Sequence, residues 1–215
     1  MKDIAIYGAG GFGREIACLI NHINRAEGLQ WNMIGFFDDG KAPGYETGYG
    51  AVIGGMDELN SYPHNLSVVI AIANPKTLRK LVDQIENPLV DFPNIIAPNV
   101  LFFDRESVTM GRGNVLTFGC RLSCNVRLGN FNLLNGCVSF GHDVAIDNYN
   151  VMMPETRLSG EVKVGEMNLF GSRSFVVQQV KIGSRTTIAA GSFVLRKTKD
   201  DSLYMGNPAK KMDIN

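Results

Sequence analysis

The sequence lacks any apolar run approaching the roughly 20 residues that a bilayer-spanning helix needs. Its start, Met1-Lys2-Asp3-Ile4, leads into a strand-like segment and not into a signal peptide. No membrane insertion is expected, and a cytoplasmic location is. Surplus charge is absent too: 21 Lys plus Arg balance 21 Asp plus Glu, which leaves no electrostatic footprint for nucleic acid or an anionic membrane surface. Cysteine is limited to Cys18, Cys120, Cys124 and Cys137, with no CxxC pair and with apolar neighbours. They read as reduced packing residues and not as a disulfide framework or a zinc site. Histidine is scarcer still, at three residues.

What the sequence has is a period. Every sixth residue from Met110 is apolar: Met110, Leu116, Leu122, Leu128, Leu134, Phe140, Ile146, Met152, Leu158, Val164, Phe170, Val176, Ile182, Ile188 and Val194. At 45% hydrophobic residues overall, such a run has a chance probability on the order of one in a hundred thousand. Four places after each, the residue is small or compact, as at Asn114, Cys120, Val126 and Asn132, and Gly often follows the apolar residue directly, as at Gly111, Gly129 and Gly141. A period of six fits neither a 3.6-residue helix nor a hairpin ladder. It fits a parallel β-helix whose short strands are separated by corners, with the directly following Gly read as the tight corner. Taken three to a coil, the repeats predict about five coils.

Residues 1–97 have a different grammar. The apolar strand Ile4-Ala5-Ile6-Tyr7 runs into Gly8-Ala9-Gly10-Gly11-Phe12-Gly13 and then into the helix-like Arg14–Ile20. Met33–Asp39 reads as a second strand ending in Asp38 and Asp39, Ser67–Ile72 as a buried central strand, and Pro75–Ile85 as a helix. A small Rossmann-like parallel sheet is predicted. The Gly8, Gly10, Gly13 spacing is GxGxxG in its proper strand-to-helix context, where backbone N–H groups approach a diphosphate.

Joined to the hexapeptide repeat, these features resemble the NeuD/PglD-type sugar acetyltransferases, through GAGGFG at Gly8–Gly13, FFDD at Phe36–Asp39, AIAN at Ala71–Asn74, GHD at Gly141–Asp143, Ser159-Gly160, and GNPAK at Gly206–Lys210. The resemblance implies an α/β plus all-β chain: a Rossmann-like nucleotide-sugar domain over 1–97, a left-handed β-helix over 98–198, and a tail over 199–215 that contributes to a coenzyme A groove. It implies acetyl-coenzyme A as cosubstrate, a nucleotide-linked sugar as acceptor, and no metal. His142 is the only histidine within the repeats, and imidazole suits the work of a general base; Asp143 would orient it. The glycine loop, including Ala9 and Gly11, would hold the nucleotide sugar together with Asp38, Asp39 and Asn74. Asn135 would lie near the acceptor group. Gly160, one coil on from His142, would supply an N–H for the oxyanion. Ala189, Ala190 and Gly191 would narrow the coenzyme groove, which Gly206, Asn207 and Pro208 would line, with Lys210 near a phosphate.

A homotrimer is expected, since outward apolar residues such as Phe118, Phe131, Val151 and Met153 would otherwise be bare. A γ-class carbonic anhydrase shares the prism but needs three zinc-binding histidines. A dehydrogenase is disfavoured by a sheet region under 100 residues. The remaining alternative is a non-catalytic β-helix scaffold, because a repeat carries no chemistry by itself.

Overall fold

A five-stranded parallel sheet occupies the first of two units, Met1–Pro98, in the computed structural model, which describes residues 1–213. The last two residues of the predicted tail lie outside the described residues. In chain order the elements are β1 (Lys2–Tyr7), α1 (Gly11–Glu27), β2 (Trp31–Phe37), β3 (Val52–Gly54), α2 (Met56–Asn60), β4 (Leu66–Ile70), α3 (Pro75–Gln84) and β5 (Val90–Asp91). The sheet order is β3-β2-β1-β4-β5.

The central strand β1 reads as a continuous apolar run because Ile4, Ala5 and Ile6 are fully buried. Helix α1 buries Ile16, Leu19, Ile20 and Ile23 at helical spacing, each worth about 1.5–3 kcal/mol. It begins at Gly11, so the last part of the glycine run is its first turn. Gly8 adopts φ +108° where β1 ends, and a Cβ on Gly13 would run into the Gly8 carbonyl. Those two glycines let helix and strand approach closely.

The second unit, Asn99–Asn215, is a parallel β-helix. Its first face stacks six strands: Leu101–Phe102, Arg121–Leu122, Ser139–Phe140, Arg157–Leu158, Phe175–Val176 and Phe193–Val194. Its second face stacks five: Thr109–Met110, Arg127–Leu128, Ala145–Ile146, Lys163–Val164 and Lys181–Ile182. The third face runs from Val115–Leu116 through Leu133–Leu134, Val151–Met152, Leu169–Phe170 and Thr187–Ile188 to Leu203–Met205. From Thr109 to Val194 the stacked residues are one coil of eighteen apart, as in the pairings Leu122 with Phe140 and Phe140 with Leu158, whereas Leu101 and Phe102 pair twenty residues on, with Arg121 and Leu122. The second residue of each strand is the apolar repeat residue. From Leu116 to Val194 all of these are buried, and Met110, on the first coil of its face, is only half-buried.

Each corner interior has its own chemistry. The corner from first to second face is filled by Val126, Val144, Val162 and Val180. The corner from second to third face holds a ladder of Asn114, Asn132, Asn150 and Asn168, none more than 1% exposed. The Oδ1 of Asn132 accepts from both the backbone N–H (3.0 Å) and the Nδ2 (3.1 Å) of Asn150, and Asn150 receives the same pair from Asn168. Buried amides are thereby satisfied coil by coil.

Two expectations are corrected. The glycines directly after the apolar residues do not turn the chain. The left-handed corner falls two places later, with positive φ at every sixth residue from Gly113 to Gly191, Asn125, Asp143 and Glu161 among them. Glycine follows the apolar residue for want of space: a Cβ on Gly129 would sit 2.8 Å from the Asp147 carbonyl of the next coil. Nor are Phe131 and Val151 bare. Phe131 is 4% exposed and stacks on Tyr149 at 5.4 Å between centroids, and Val151 is fully buried along with its column neighbours Val115 and Leu133. Periodicity says which residues point off the coil, not which of them other groups cover. Phe118 is exposed and Met153 half-buried.

Candidate active site

The residues at the corner between first and second faces form two columns. One runs Cys124, His142, Gly160, Gln178, and the other Asn125, Asp143, Glu161, Gln179, as the eighteen-residue register dictates. Asp143 takes the left-handed conformation (φ 58°), and its N–H donates to the Cys124 carbonyl at 3.0 Å. Glu161 N–H likewise donates to the His142 carbonyl at 2.8 Å. The corner therefore projects His142 outward while its backbone is held in register; the side chain is 48% exposed.

His142 Nδ1 lies 2.8 Å from Asp143 Oδ2. A hydrogen bond from the ring, then one from the Asn125 side chain, holds the Asp143 carboxyl below its ordinary pKa. An ionised carboxylate only accepts, so Nδ1 carries the hydrogen, and in the neutral ring the lone pair resides on Nε2. That nitrogen faces Gly160: a Cβ there would come within 2.5 Å of Nε2 and 2.7 Å of Cε1. Gly160 is buried, and its N–H has no acceptor among the described residues. An imidazole and a free amide donor thus share one corner. Cys124 and Asn125 escaped the motif-based reading, although counting eighteen residues back from His142 and Asp143 would have found them.

The other predicted site residues of this unit lie at the opposite end of the first face. Asn135 sits at the corner from third to first face, accepting from Thr117 Oγ1 at 3.1 Å and from the Gly136 N–H at 2.9 Å. Ala189, Ala190 and Gly191 turn the same corner higher up, with Gly191 N–H bonded to the Ser172 carbonyl at 2.8 Å. Gly206, Asn207, Pro208 and Ala209 close over the last strand of the first face, where Phe193 N–H donates to Gly206 O and Ala209 N–H to Phe193 O. Lys210 is exposed and begins a strand, Lys210–Met212, antiparallel to Leu203–Met205. Within one chain, then, His142 and Gly160 are not brought together with Asn135 or with Ala189–Gly191.

In the first unit Asp38 and Asp39 are engaged within the protein. Asp38 accepts from the Ala9 N–H at 2.7 Å and from Gly40 N–H at 2.9 Å. Asp39 accepts from the Tyr7 hydroxyl and, at 2.8 Å, from Met56 N–H at the start of α2. Burial, with these carboxylates beside it, pushes the Tyr7 phenol above its ordinary pKa. Asn74 caps α3 by accepting from Thr77 N–H at 3.0 Å. Gly10 caps α1 without a side-chain bond, and the first turn of α1 carries no acid. Among the described residues no group of His, Cys, Asp or Glu is arranged to hold a metal, and no helix is long and apolar enough to cross a membrane.

Residues 3–85 match the family model of the PglD N-terminal domain. No curated protein matches the sequence. Among solved structures, the acetyltransferase domain of PglB from Neisseria gonorrhoeae, in complex with acetyl coenzyme A, is 25% identical, with 98% of this chain and 99% of that one covered at a TM-score of 0.86. PerB from Caulobacter crescentus, in complex with CoA and GDP-perosamine, is 25% identical over 99% of this chain and 98% of that one, at 0.86. WeeI from Acinetobacter baumannii is 25% identical over 99% and 100%, at 0.87. Residues 3–85 thus resemble a PglD N-terminal domain, and the chain is built along its whole length like the PglB acetyltransferase domain, PerB and WeeI.

Proposed function

We propose that this chain is an acetyl-coenzyme A-dependent acetyltransferase acting on a nucleotide-linked sugar, with His142 as general base. The observation that carries the reading is the corner itself: an imidazole held by Asp143 through Nδ1, its Nε2 packed against the Cβ-less face of Gly160, whose N–H has no acceptor among the described residues. The acceptor's amine or hydroxyl attacks the thioester carbonyl, and Nε2 takes the proton. The carbonyl oxygen becomes an oxyanion at the Gly160 N–H. Collapse breaks the C–S bond, and the imidazolium returns the proton to the departing thiolate. No acyl-enzyme is required.

The PerB complex contains GDP-perosamine and the PglB complex acetyl coenzyme A, which supports these two substrate classes here. The first unit would bind the nucleotide sugar near the glycine loop. Asp38 already occupies the Ala9 amide, so a phosphate would be met by the open first turn of α1, at Gly11–Gly13. The placing of His142 and Gly160 at one corner, and of Asn135 and Ala189–Gly191 at another, supports a homotrimer in which the two kinds of corner meet between copies.

The test is release of free coenzyme A by the purified protein with acetyl-coenzyme A and a panel of UDP-, GDP- and dTDP-linked amino sugars. Turnover that disappears in a folded His142→Ala variant is expected. A folded wild type inert toward every acceptor and unable to bind acetyl-coenzyme A would leave the β-helix as a scaffold.

A further inference from the structure

The outward residues of the second face form a column: Thr109, Arg127, Ala145, Lys163 and Lys181. Three of the five are cations, and Lys163 and Lys181 are register neighbours on adjacent strands. Like charges placed opposite each other on a sheet repel, so such a column ordinarily comes with counter-charges. Two carboxylates do line the same surface, Asp143 and Glu161, and neither pairs with a lysine. Asp143 is taken by His142 and Asn125. Glu161 accepts from the side-chain amides of Gln178 and Gln179, each at 3.2 Å. Arg127, Lys163 and Lys181 form no ion pair within 4.0 Å among the described residues.

The surface is concave as well as cationic. A groove of about 450 Å³ is lined by Arg127, Asp143, Glu161, Lys163, Gln179 and Lys181. A second, of about 310 Å³, shares Arg127 and Asp143 with it. The methyl side chain of Ala145 leaves a gap between Arg127 and Lys163, whose strands are two steps of about 4.8 Å apart. Asp143 belongs to both grooves, so the trough opens directly beside the proposed base.

We propose that this trough is a diphosphate subsite, in which Arg127, Lys163 and Lys181 hold the phosphoanhydride of a reactant whose other end reaches His142. The proposal rests on the transferase reading, in which coenzyme A and the sugar nucleotide each carry a diphosphate. A forked guanidinium and two ammonium groups with no ion-pair partner within 4.0 Å among the described residues suit its oxygens, and these three cations outnumber the two carboxylates of the trough.

Calorimetric titration of inorganic diphosphate into the full chain tests the subsite without turnover. Binding is expected to weaken at least tenfold in the Lys163→Gln/Lys181→Gln double variant, to weaken as salt is raised, and to be unchanged in Arg25→Gln, an exposed cation of α1 in the first unit. Steady-state kinetics identify the source. A tenfold rise in KM for acetyl-coenzyme A alone assigns the trough to the coenzyme, and one for the sugar nucleotide alone assigns it to the acceptor. A wild type that does not bind diphosphate, or a folded double variant that binds it equally well and keeps both KM values, overturns the subsite. A wild type without transferase activity that still binds diphosphate through the two lysines would sink the transferase reading and leave the subsite standing.

Discussion

Residue by residue, His142 depends on two neighbours of opposite kind: a carboxylate that sets its tautomer and a glycine that leaves room for its ring. Replacing His142 by Ala should lower kcat by about 10²–10⁴ with the fold intact. The Asp143 carboxyl is held below its ordinary pKa by the ring and by Asn125. A depressed carboxyl contributes above its unfolded-state value, and that contribution is lost only as pH falls through the lower folded one. Asp143 thus stays ionised across roughly pH 5–8, the span in which histidine chemistry operates. Asp143→Asn should therefore lose activity by a similar factor throughout that window. About 10–100-fold is expected, short of the ~10⁴ of a buried triad carboxylate, because half of this side chain is exposed. A pH–rate profile checks it; a loss confined to the acid limb would contradict the role given to Asp143.

The cysteines give a second prediction at this scale. Burial pushes the Cys120 thiol up to about 12, whereas Cys137 is exposed at a corner. Iodoacetamide on the native protein should label Cys137 and spare Cys120 until urea unfolds the β-helix, as peptide mass spectrometry would read directly.

Among the elements, the coil is sensitive at two kinds of position, and neither is a hydrophobic repeat residue. Asn150 receives two hydrogen bonds from Asn168 and gives two to Asn132. Asn150→Ala would strip the buried Asn168 N–H of its acceptor, while Asn132 Oδ1 keeps the backbone N–H of residue 150 and Asn168 Nδ2 keeps the Gly165 carbonyl, and should cost about 1–3 kcal/mol. Gly129→Ala would press a methyl to within 2.8 Å of the backbone of the next coil. No rotamer relieves that contact, and a loss of about 1–3 kcal/mol is expected. Urea unfolding of both variants measures these costs. The asparagines and glycines were legible in the sequence as recurring small residues. Their reasons were not, because hydrogen-bond partners and clearances lie eighteen residues away, on the next coil.

Across the whole molecule, each coil contacts only its neighbours, so local damage stays local, and the proposed active centre is divided between corners of different copies. Sedimentation equilibrium should give three times the 23.5 kDa chain mass. Mixed trimers offer a sharper check. His142→Ala damages one kind of corner, and Gly191→Val, at a position of φ +66°, damages the other. Each alone should be nearly inactive. Refolded together, they should regain part of the wild-type rate, because some interfaces then join two intact corners. Recovery no greater than the sum of the separate rates would place the whole site within one chain.

The six-residue period determined the β-helix on its own, since inward positions recur wherever the strand-corner unit recurs and need no knowledge of any partner. The strand–glycine–helix start was equally legible, because β1, the turn and α1 are contiguous. Element ends drifted by a few residues: α1 begins at Gly11 and not at Arg14, and β4 ends at Ile70 and not at Ile72. What only the tertiary structure decided was company. It set His142 against Gly160, put Asp38 on the Ala9 amide, buried Phe131 and Val151, and left Lys163 and Lys181 without counter-ions beside engaged carboxylates. The reason is geometric: a repeat fixes the direction of each side chain relative to its own coil, while contacts depend on where distant segments come to rest.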